Sequence, residues 1–318
     1  MIEVQELTKY FGATLAVDHV SFKVEKGEII GLLGPNGSGK TTIMRVLTGF
    51  FPATSGRALI GGLDVDEHSL ETRRRVGYLP ENMVLYPDLS VDALLEFSAR
   101  VREIDPRTAR DRIEYSLDRC GLKEVRRKLI GKLSKGYRQR AGIAQAILSD
   151  PEVLILDEPT VGLDPRQVVE IRELIRSLAG HSTVLLSTHI LPEVNMTCRR
   201  VVIIDRGRMV AQDTPEHLTA KLQGSDQTVI TVAGPSPAVR EALTAVKFVQ
   251  RLEDRPGEGG ATGGVCSFVA YSSGHGEEVR SALAACVVQH GWNLLEVKPM
   301  ALSLEDLFMR LVTKEERV

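Results

Sequence analysis

The sequence predicts an α/β protein in two parts. Residues 1–215 form an α/β domain on a parallel sheet, opened by an antiparallel β subdomain and interrupted by a helical insertion; residues 216–318 form a small α+β domain. Three observations predict it. Short apolar runs at Ile29–Leu33, Val153–Asp157, 184–187 and 201–204 alternate with helical stretches, the pattern of a parallel sheet covered on both faces. The run Gly34-Pro-Asn-Gly-Ser-Gly-Lys-Thr-Thr42 follows the first of these strands and opens a helix. Past residue 216 the composition shifts, and the segments follow the order βαββαβ of a ferredoxin-like unit.

Residues 1–27 alternate as short antiparallel strands over 2–7 and 20–24, bounded by turn residues. A helix over 41–48 is stopped by Gly49, and Val76–Leu79 supplies a fifth core strand. Helical patterns over 92–102, 107–120 and 134–148 make up the insertion. Asp205-Arg-Gly-Arg208 forms a hairpin turn closing the first domain. In the second, strands are predicted over 228–233, 248–253, 265–271 and 293–297, and helices over 236–246, 277–290 and 304–312. The Gly-rich stretch 254–264 buries too little to order itself and is a solvated connector. The apolar stripe of 304–312 has the spacing of a core-facing helix.

The 318 residues carry a net charge of −2, so no basic field recruits nucleic acid. The four cysteines form no C-x-x-C pair, which points away from zinc and disulfides and towards a reducing cytosol. The N-terminus lacks a basic-then-apolar signal pattern, and no apolar run reaches the roughly 18 residues of a membrane span. A membrane role must therefore come through a partner. The runs 73–75 and 126–128 are solvated basic faces or, alternatively, docking points for acidic helices or lipid headgroups.

The motif over Gly34, Pro35, Asn36, Gly37, Ser38, Gly39, Lys40, Thr41 and Thr42 has a physical reading. Glycines let backbone N–H groups converge on phosphate oxygens, and the helix start adds a partial positive charge. Lys40 would reach the β- and γ-phosphates, and Thr41 would hold Mg²⁺. The apolar run 153–156 then delivers Asp157 and Glu158 to the sheet edge where open α/β folds bind ligands. Asp157 would hold Mg²⁺ opposite Thr41, and Glu158 could polarise a water aimed at the γ-phosphate. Ser134 caps a further helix, and Gly136 keeps its first turn open to an anion. One nucleotide has one γ-phosphate, already surrounded by the first loop. The second helix start would then serve the nucleotide of another copy, which implies a dimer.

GPNGSGKTT, LSKGYRQR, VLILDEPTVGLDP and Ser187-Thr188-His189 occur in an order and spacing that resemble the ATP-binding subunits of ABC transporters, over residues 1–215. The form of LSKGYRQR and the extra C-terminal domain resemble most the type 2 exporter branch, including its gliding-motility-associated subgroup. The resemblance implies a P-loop NTPase fold of the ABC type and a head-to-tail homodimer. Two ATP molecules would be sandwiched between the phosphate loop of one copy and the Ser134–Lys135–Gly136 signature of the other. It implies that His189 contacts the γ-phosphate and holds Glu158 in line, and that Asp164 communicates across the dimer. The adenine ring needs an aromatic platform; Tyr10 and Phe11 lie where this family places it, and the spacing to Gly12 favours Phe11. It further implies an integral membrane permease as partner, and a place on the cytoplasmic face of the membrane.

Two departures stand out. Lys135 and Tyr137 replace the third and fifth residues of the usual Leu-Ser-Gly-Gly-Gln, adding a charge that would tighten phosphate contact. Glu81 stands where the family carries Gln; as a carboxylate it either binds Mg²⁺ more strongly or repels the γ-phosphate. Two other functions fit the motifs: a soluble ABC-type ATPase of translation or DNA repair, and a non-hydrolysing nucleotide sensor. The first usually needs two cores or a long coiled coil; the intact Asp157-Glu158 pair and His189 argue against the second.

Overall fold

In the computed structural model, residues 1–222, 226–255, 264–272 and 276–299 are described, and they fall in two compact units, Met1–Pro215 and Glu216–Val318. The first begins with β1 (Ile2–Phe11) and β2 (Thr14–Val24), an antiparallel pair. Both run further than the expected 2–7 and 20–24. The register shifts near Leu7 and Lys9 break the apolar alternation while the pairing continues to the turn at Gly12.

Next come β3 (Ile29–Leu33), α1 (Lys40–Leu47), β4 (Ser55–Ile60), β5 (Leu63–Asp64), α2 (Ser69–Arg75) and β6 (Val76–Leu79). Gly49 ends α1 in the left-handed conformation that glycine adopts without strain. The insertion follows as α3 (Val91–Val101), α4 (Pro106–Arg119) and α5 (Lys135–Ile147), each started by a side-chain cap: Ser90, Asp105 and Ser134. Then come β7 (Val153–Asp157), α6 (Pro165–Leu178), β8 (Thr183–Thr188), α7 (Leu191–Thr197), β9 (Arg200–Asp205) and β10 (Arg208–Asp213).

One sheet has the order β2-β1-β4-β5 and the other β10-β9-β3-β8-β7-β6. In the second, β9 to β6 run parallel and β10 turns back antiparallel through the Asp205–Arg208 hairpin. Strands β3, β7 and β8 are buried along their whole length, as a sheet covered on both faces requires. Helix α1 packs Ile43, Met44, Val46 and Leu47 into one core with Val4, Leu7 and Val20 of the first sheet and Ile30, Ile155 and Leu185 of the second. The loop before α1 is therefore anchored at both ends by packed elements. Strands β3 and β7 flank β8, so their C-terminal ends open at one sheet edge.

Three residues of the two basic runs are ion-paired. Arg74 meets Glu103, Arg75 meets Glu71, and Arg126 joins Asp92 and Glu114.

Helix α8 (Pro215–Leu222) lies at the junction of the two units in sequence. The second unit contains β11 (Asp226–Ala233), α9 (Ser236–Thr244), β12 (Val249–Asp254), β13 (Val265–Ser272), α10 (Gly276–Gln289) and β14 (Asn293–Pro299). Its antiparallel sheet has the order β12-β13-β11-β14, the ferredoxin-like arrangement. Val239 and Leu243 of α9 and Val279, Leu283 and Val287 of α10 pack with Ile230, Val232 and Phe268 of the sheet. The expected helix over 304–312, and most of the 254–264 connector, lie outside the described residues.

Candidate nucleotide site

The loop between β3 and α1 is a backbone cradle. A Cβ on Gly34 would lie 2.2 Å from the Ile204 carbonyl oxygen and 2.5 Å from Ser38 Oγ. Gly39 caps α1 at φ +106°, where a Cβ would meet the Ala16 carbonyl at 2.6 Å. Only glycine fits either place. Ser38 N–H donates to the Pro35 carbonyl at 3.2 Å, and the Ser38 carbonyl accepts from Gly207 N–H at 2.9 Å, tying the loop to the β9–β10 hairpin. Helix α1 has no side-chain cap, so its start is available to an anion.

Lys40 is buried, and its ammonium donates to the Gly34 and Pro35 carbonyls at 2.7 and 3.0 Å. It also lies 3.8 Å from Glu158 Oε1. Burial pushes the Lys40 ammonium below the ordinary lysine value, opposed by the charges of Glu158, Asp157 and Glu81. Residues 36–42 share a cleft of about 180 Å³ with Glu81 and Glu158. That is less than the roughly 300–1,000 Å³ of pockets that enclose a whole small ligand. Its size and its lining of backbone N–H groups suit the phosphate groups of a ligand whose remainder lies outside the cleft.

The acidic half is built from side chains. Ser187 Oγ donates to Asp157 Oδ1 at 2.5 Å and accepts from the Glu158 N–H at 3.0 Å. Glu158 sits at φ +49°, a conformation that costs a non-glycine residue about 1–3 kcal/mol and persists where surrounding contacts over-determine it. Its Oε2 lies 3.0 Å from His189 Nδ1. Asp157 Oδ2 and Glu158 Oε1 are buried acceptors with no hydrogen-bond partner. Glu158 Oε1 still faces the Lys40 ammonium, whereas a hard divalent cation is the partner that suits the Asp157 oxygen. Among the described residues no three His, Cys, Asp or Glu gather into an all-protein metal site. Magnesium needs none, since one or two carboxylates and substrate phosphates usually hold it.

Of the sequence-predicted residues, those of the phosphate loop, Glu81, Asp157, Glu158 and His189 are brought together. Phe11, Ser134, Gly136 and Asp164 lie outside the phosphate cleft, and Lys135 lines a neighbouring cavity. Phe11 is exposed beside the Gly12 turn, edge-on to Phe51 at 5.2 Å with Lys9 over it, and does not line the phosphate cleft. Ser134 Oγ accepts from Tyr137 N–H, capping α5 as expected. Gly136 is not open to an anion here: it is buried, and a Cβ on it would meet the Gln167 side chain at 2.7 Å. Lys135 lies against Gly162 and shares a second cavity, about 390 Å³, with Glu81 and Glu158. Asp164 caps α6, accepting from Gln167 N–H at 3.0 Å.

Besides the supporting hydroxyls of Ser187, Thr160 and Thr188, sequence reasoning missed Gln167 and Glu193. Gln167 roofs Gly136. Glu193, in the first turn of α7, takes hydrogen bonds from Thr160 and Thr188. The only available signal for Glu193 was an acid four positions after His189, and helix starts often carry acids.

The chain is similar to known proteins. The ABC transporter family model matches residues 17–161, and a second model, described as AAA domain, putative AbiEii toxin, Type IV TA system, matches 129–196. The Linearmycin resistance ATP-binding protein LnrL of Bacillus subtilis strain 168 is 31% identical over 318 residues, covering all of both chains. The Bacitracin transport ATP-binding protein BcrA of Bacillus licheniformis is 33% identical over 98% of this chain and 97% of its own. The chain belongs to the ATP-binding subunits of ABC transporters. A solved structure described as the ATP binding subunit of an ABC transporter aligns with a TM-score of 0.64 and 29% identity, over 70% of this chain and 93% of that one. As an ABC subunit of the type 2 exporter branch, this protein is an ATPase whose turnover powers transport.

Proposed function

We propose that two copies of this subunit close head to tail on two ATP molecules and part after hydrolysis, driving an integral membrane permease. The observation that carries this reading is the convergence of Lys40 and His189 on Glu158, at 3.8 and 3.0 Å, beside a phosphate-sized cleft that stays open on one side. The missing wall would come from Ser134, Lys135 and Gly136 of the second copy, with Gln167 moving off Gly136. ATP at such an interface favours the closed state because only that state engages both walls.

Each residue then has a role. The backbone of residues 34–39 and the start of α1 would surround the phosphates, and Lys40 would leave its two carbonyls for the β- and γ-phosphates. Thr41 and Asp157 would hold Mg²⁺, with Glu81 lining the same cleft; the ion would neutralise charge on the β- and γ-phosphate oxygens. Glu158 would orient a water towards the γ-phosphorus and draw its proton as the new P–O bond forms and the bond to the β–γ bridging oxygen breaks. His189 would keep Glu158 aimed through its Nδ1 and reach the γ-phosphate with the far side of the ring. Phe11 would stack the adenine on its free face. Asp164 would carry the state of one site to the other copy.

No helix among the described residues is long and apolar enough to cross a membrane. The subunit would work on the cytoplasmic face, against a permease that carries the export path, and without nucleic acid. The relatives named for linearmycin resistance and bacitracin transport support export as the direction.

Glu158→Gln tests the reading. It is expected to cut ATP turnover by at least roughly 100-fold, the lower range for a lost general base, and to leave a stable ATP-bound dimer in light scattering. A variant that stays monomeric with ATP and turns over normally would overturn it.

A further inference from the structure

Glu193 is 6% exposed, and none of the steps above uses it. Its Oε1 accepts from Thr160 Oγ1 at 2.5 Å and its Oε2 from Thr188 Oγ1 at 2.8 Å. Thr188 Oγ1 also accepts from the Ile190 N–H at 3.0 Å, which fixes its single hydrogen towards Glu193. Thr160 follows Glu158 by two residues, and Thr188 immediately precedes His189. Both threonines are buried. One carboxylate in α7 thus clamps the two segments that carry the 3.0 Å Glu158–His189 contact. A buried carboxylate is tolerated only when its oxygens find donors, and here each has a hydroxyl from a different segment. The same clamp holds the start of the loop that leads to Asp164.

We propose that Glu193 is a positioning residue for ATP hydrolysis: by bridging Thr160 and Thr188 it sets the separation and aim of Glu158 and His189. The inference rests on the reading that those two residues act at the γ-phosphate. Glu193 does not touch the phosphate cleft, so its loss acts on the chemical step rather than on ATP binding. Because the bridge starts from α7, a displacement of that helix would misalign both groups together.

The full-length chain is compared as wild type, Glu193→Ala, Glu193→Gln, Thr160→Val, Thr188→Val and Glu158→Gln, by steady-state ATPase kinetics and by equilibrium dialysis with ATP. Glu193→Ala is expected to lower kcat roughly 10- to 100-fold, as small misplacements of reacting groups do, with ATP affinity within about twofold of wild type. Glu193→Gln can accept from Thr188 and donate to Thr160, so it should regain most of kcat. Combining Thr188→Val with Glu193→Ala should cost no more than Glu193→Ala alone, since both break one unit. Unchanged kcat in Glu193→Ala, or equal losses of kcat and ATP affinity, would overturn the proposal. If Glu193→Ala does not fold, the threonine variants decide: lower kcat at unchanged affinity supports the clamp, and wild-type rates refute it. Glu158→Gln separates the two levels. Full activity in that variant sinks the site reading; its inactivity beside fully active Glu193 variants sinks only the clamp.

Discussion

The two halves of the site are made of different material. The phosphate cradle is backbone, shaped by glycines whose added carbons would strike the Ile204 and Ala16 carbonyls, and held by a helix packed against both sheets. The acidic half is side chain, held by hydroxyl–carboxylate and imidazole–carboxylate contacts between residues about 30 positions apart: Ser187 with Asp157, His189 with Glu158, Thr160 with Glu193. The cradle should therefore tolerate almost no added atom, while the acidic half should tolerate changes of shape and fail on loss of a polar partner.

The strongest way to break this contrast is Gly34→Ala. The new methyl meets backbone at 2.2 Å, which no rotamer change relieves. Overpacking of this kind costs about 1–3 kcal/mol, and if the loop pays it by deforming, ATP affinity falls by roughly 10- to 100-fold. Gly37→Ala is the control: nothing lies within 4 Å of its Cβ, and the only cost is a left-handed φ of +81°. That penalty is about 1–2 kcal/mol and can be taken up in an exposed turn, so the affinity loss should be smaller. Equal losses in an ATP titration would mean that conformation, not close approach, makes the cradle.

The acidic half is probed by Ser187→Ala. One hydroxyl there both donates to Asp157 and accepts from the strained Glu158 backbone. Its removal leaves two buried groups short of a partner, each worth about 1–3 kcal/mol when unsatisfied. Unfolding by urea should show a loss of about 2–6 kcal/mol, the two together, and kcat should fall roughly tenfold with ATP affinity changed less, as small misplacements do. A loss of affinity without a loss of kcat would place Ser187 in the cradle's half.

The same contrast explains what the sequence made legible. The cradle is contiguous, so GPNGSGKTT could be found as a motif, and the parallel strands announced themselves as apolar runs. The strand-end acids were visible because an apolar run ending in two carboxylates is unusual. The hydroxyls that hold them were not, because Ser187, Thr160 and Thr188 are ordinary residues until the sheet order β3-β8-β7 puts β8 beside β7. Glu193 was hidden for the same reason. Gly136 shows the reverse: its glycine suggested a helix start open to an anion, and in this single copy the space is taken by Gln167 from α6, a neighbour no local pattern announces. The ends of β1 and β2 were underestimated because register shifts near Leu7 and Lys9 disrupt alternation without ending the pairing.

The smallest expected effect is at Asp164, where a local task and a long-range one overlap in one side chain. Its carboxylate caps α6 by accepting from Gln167 N–H, and that residue's side chain lies over Gly136. Asparagine caps as well as aspartate, whereas alanine costs about 1 kcal/mol. Asp164→Ala should therefore lower unfolding stability by about that amount, and Asp164→Asn should leave it nearly unchanged. The charge is what the proposed cross-dimer role needs. Asp164→Asn should accordingly reduce the cooperativity of turnover with ATP concentration while the fold holds. If both variants lose stability equally, the cap is electrostatic rather than a hydrogen bond. If Asp164→Asn keeps full cooperativity, Asp164 serves only the helix, and the cross-dimer role is refuted.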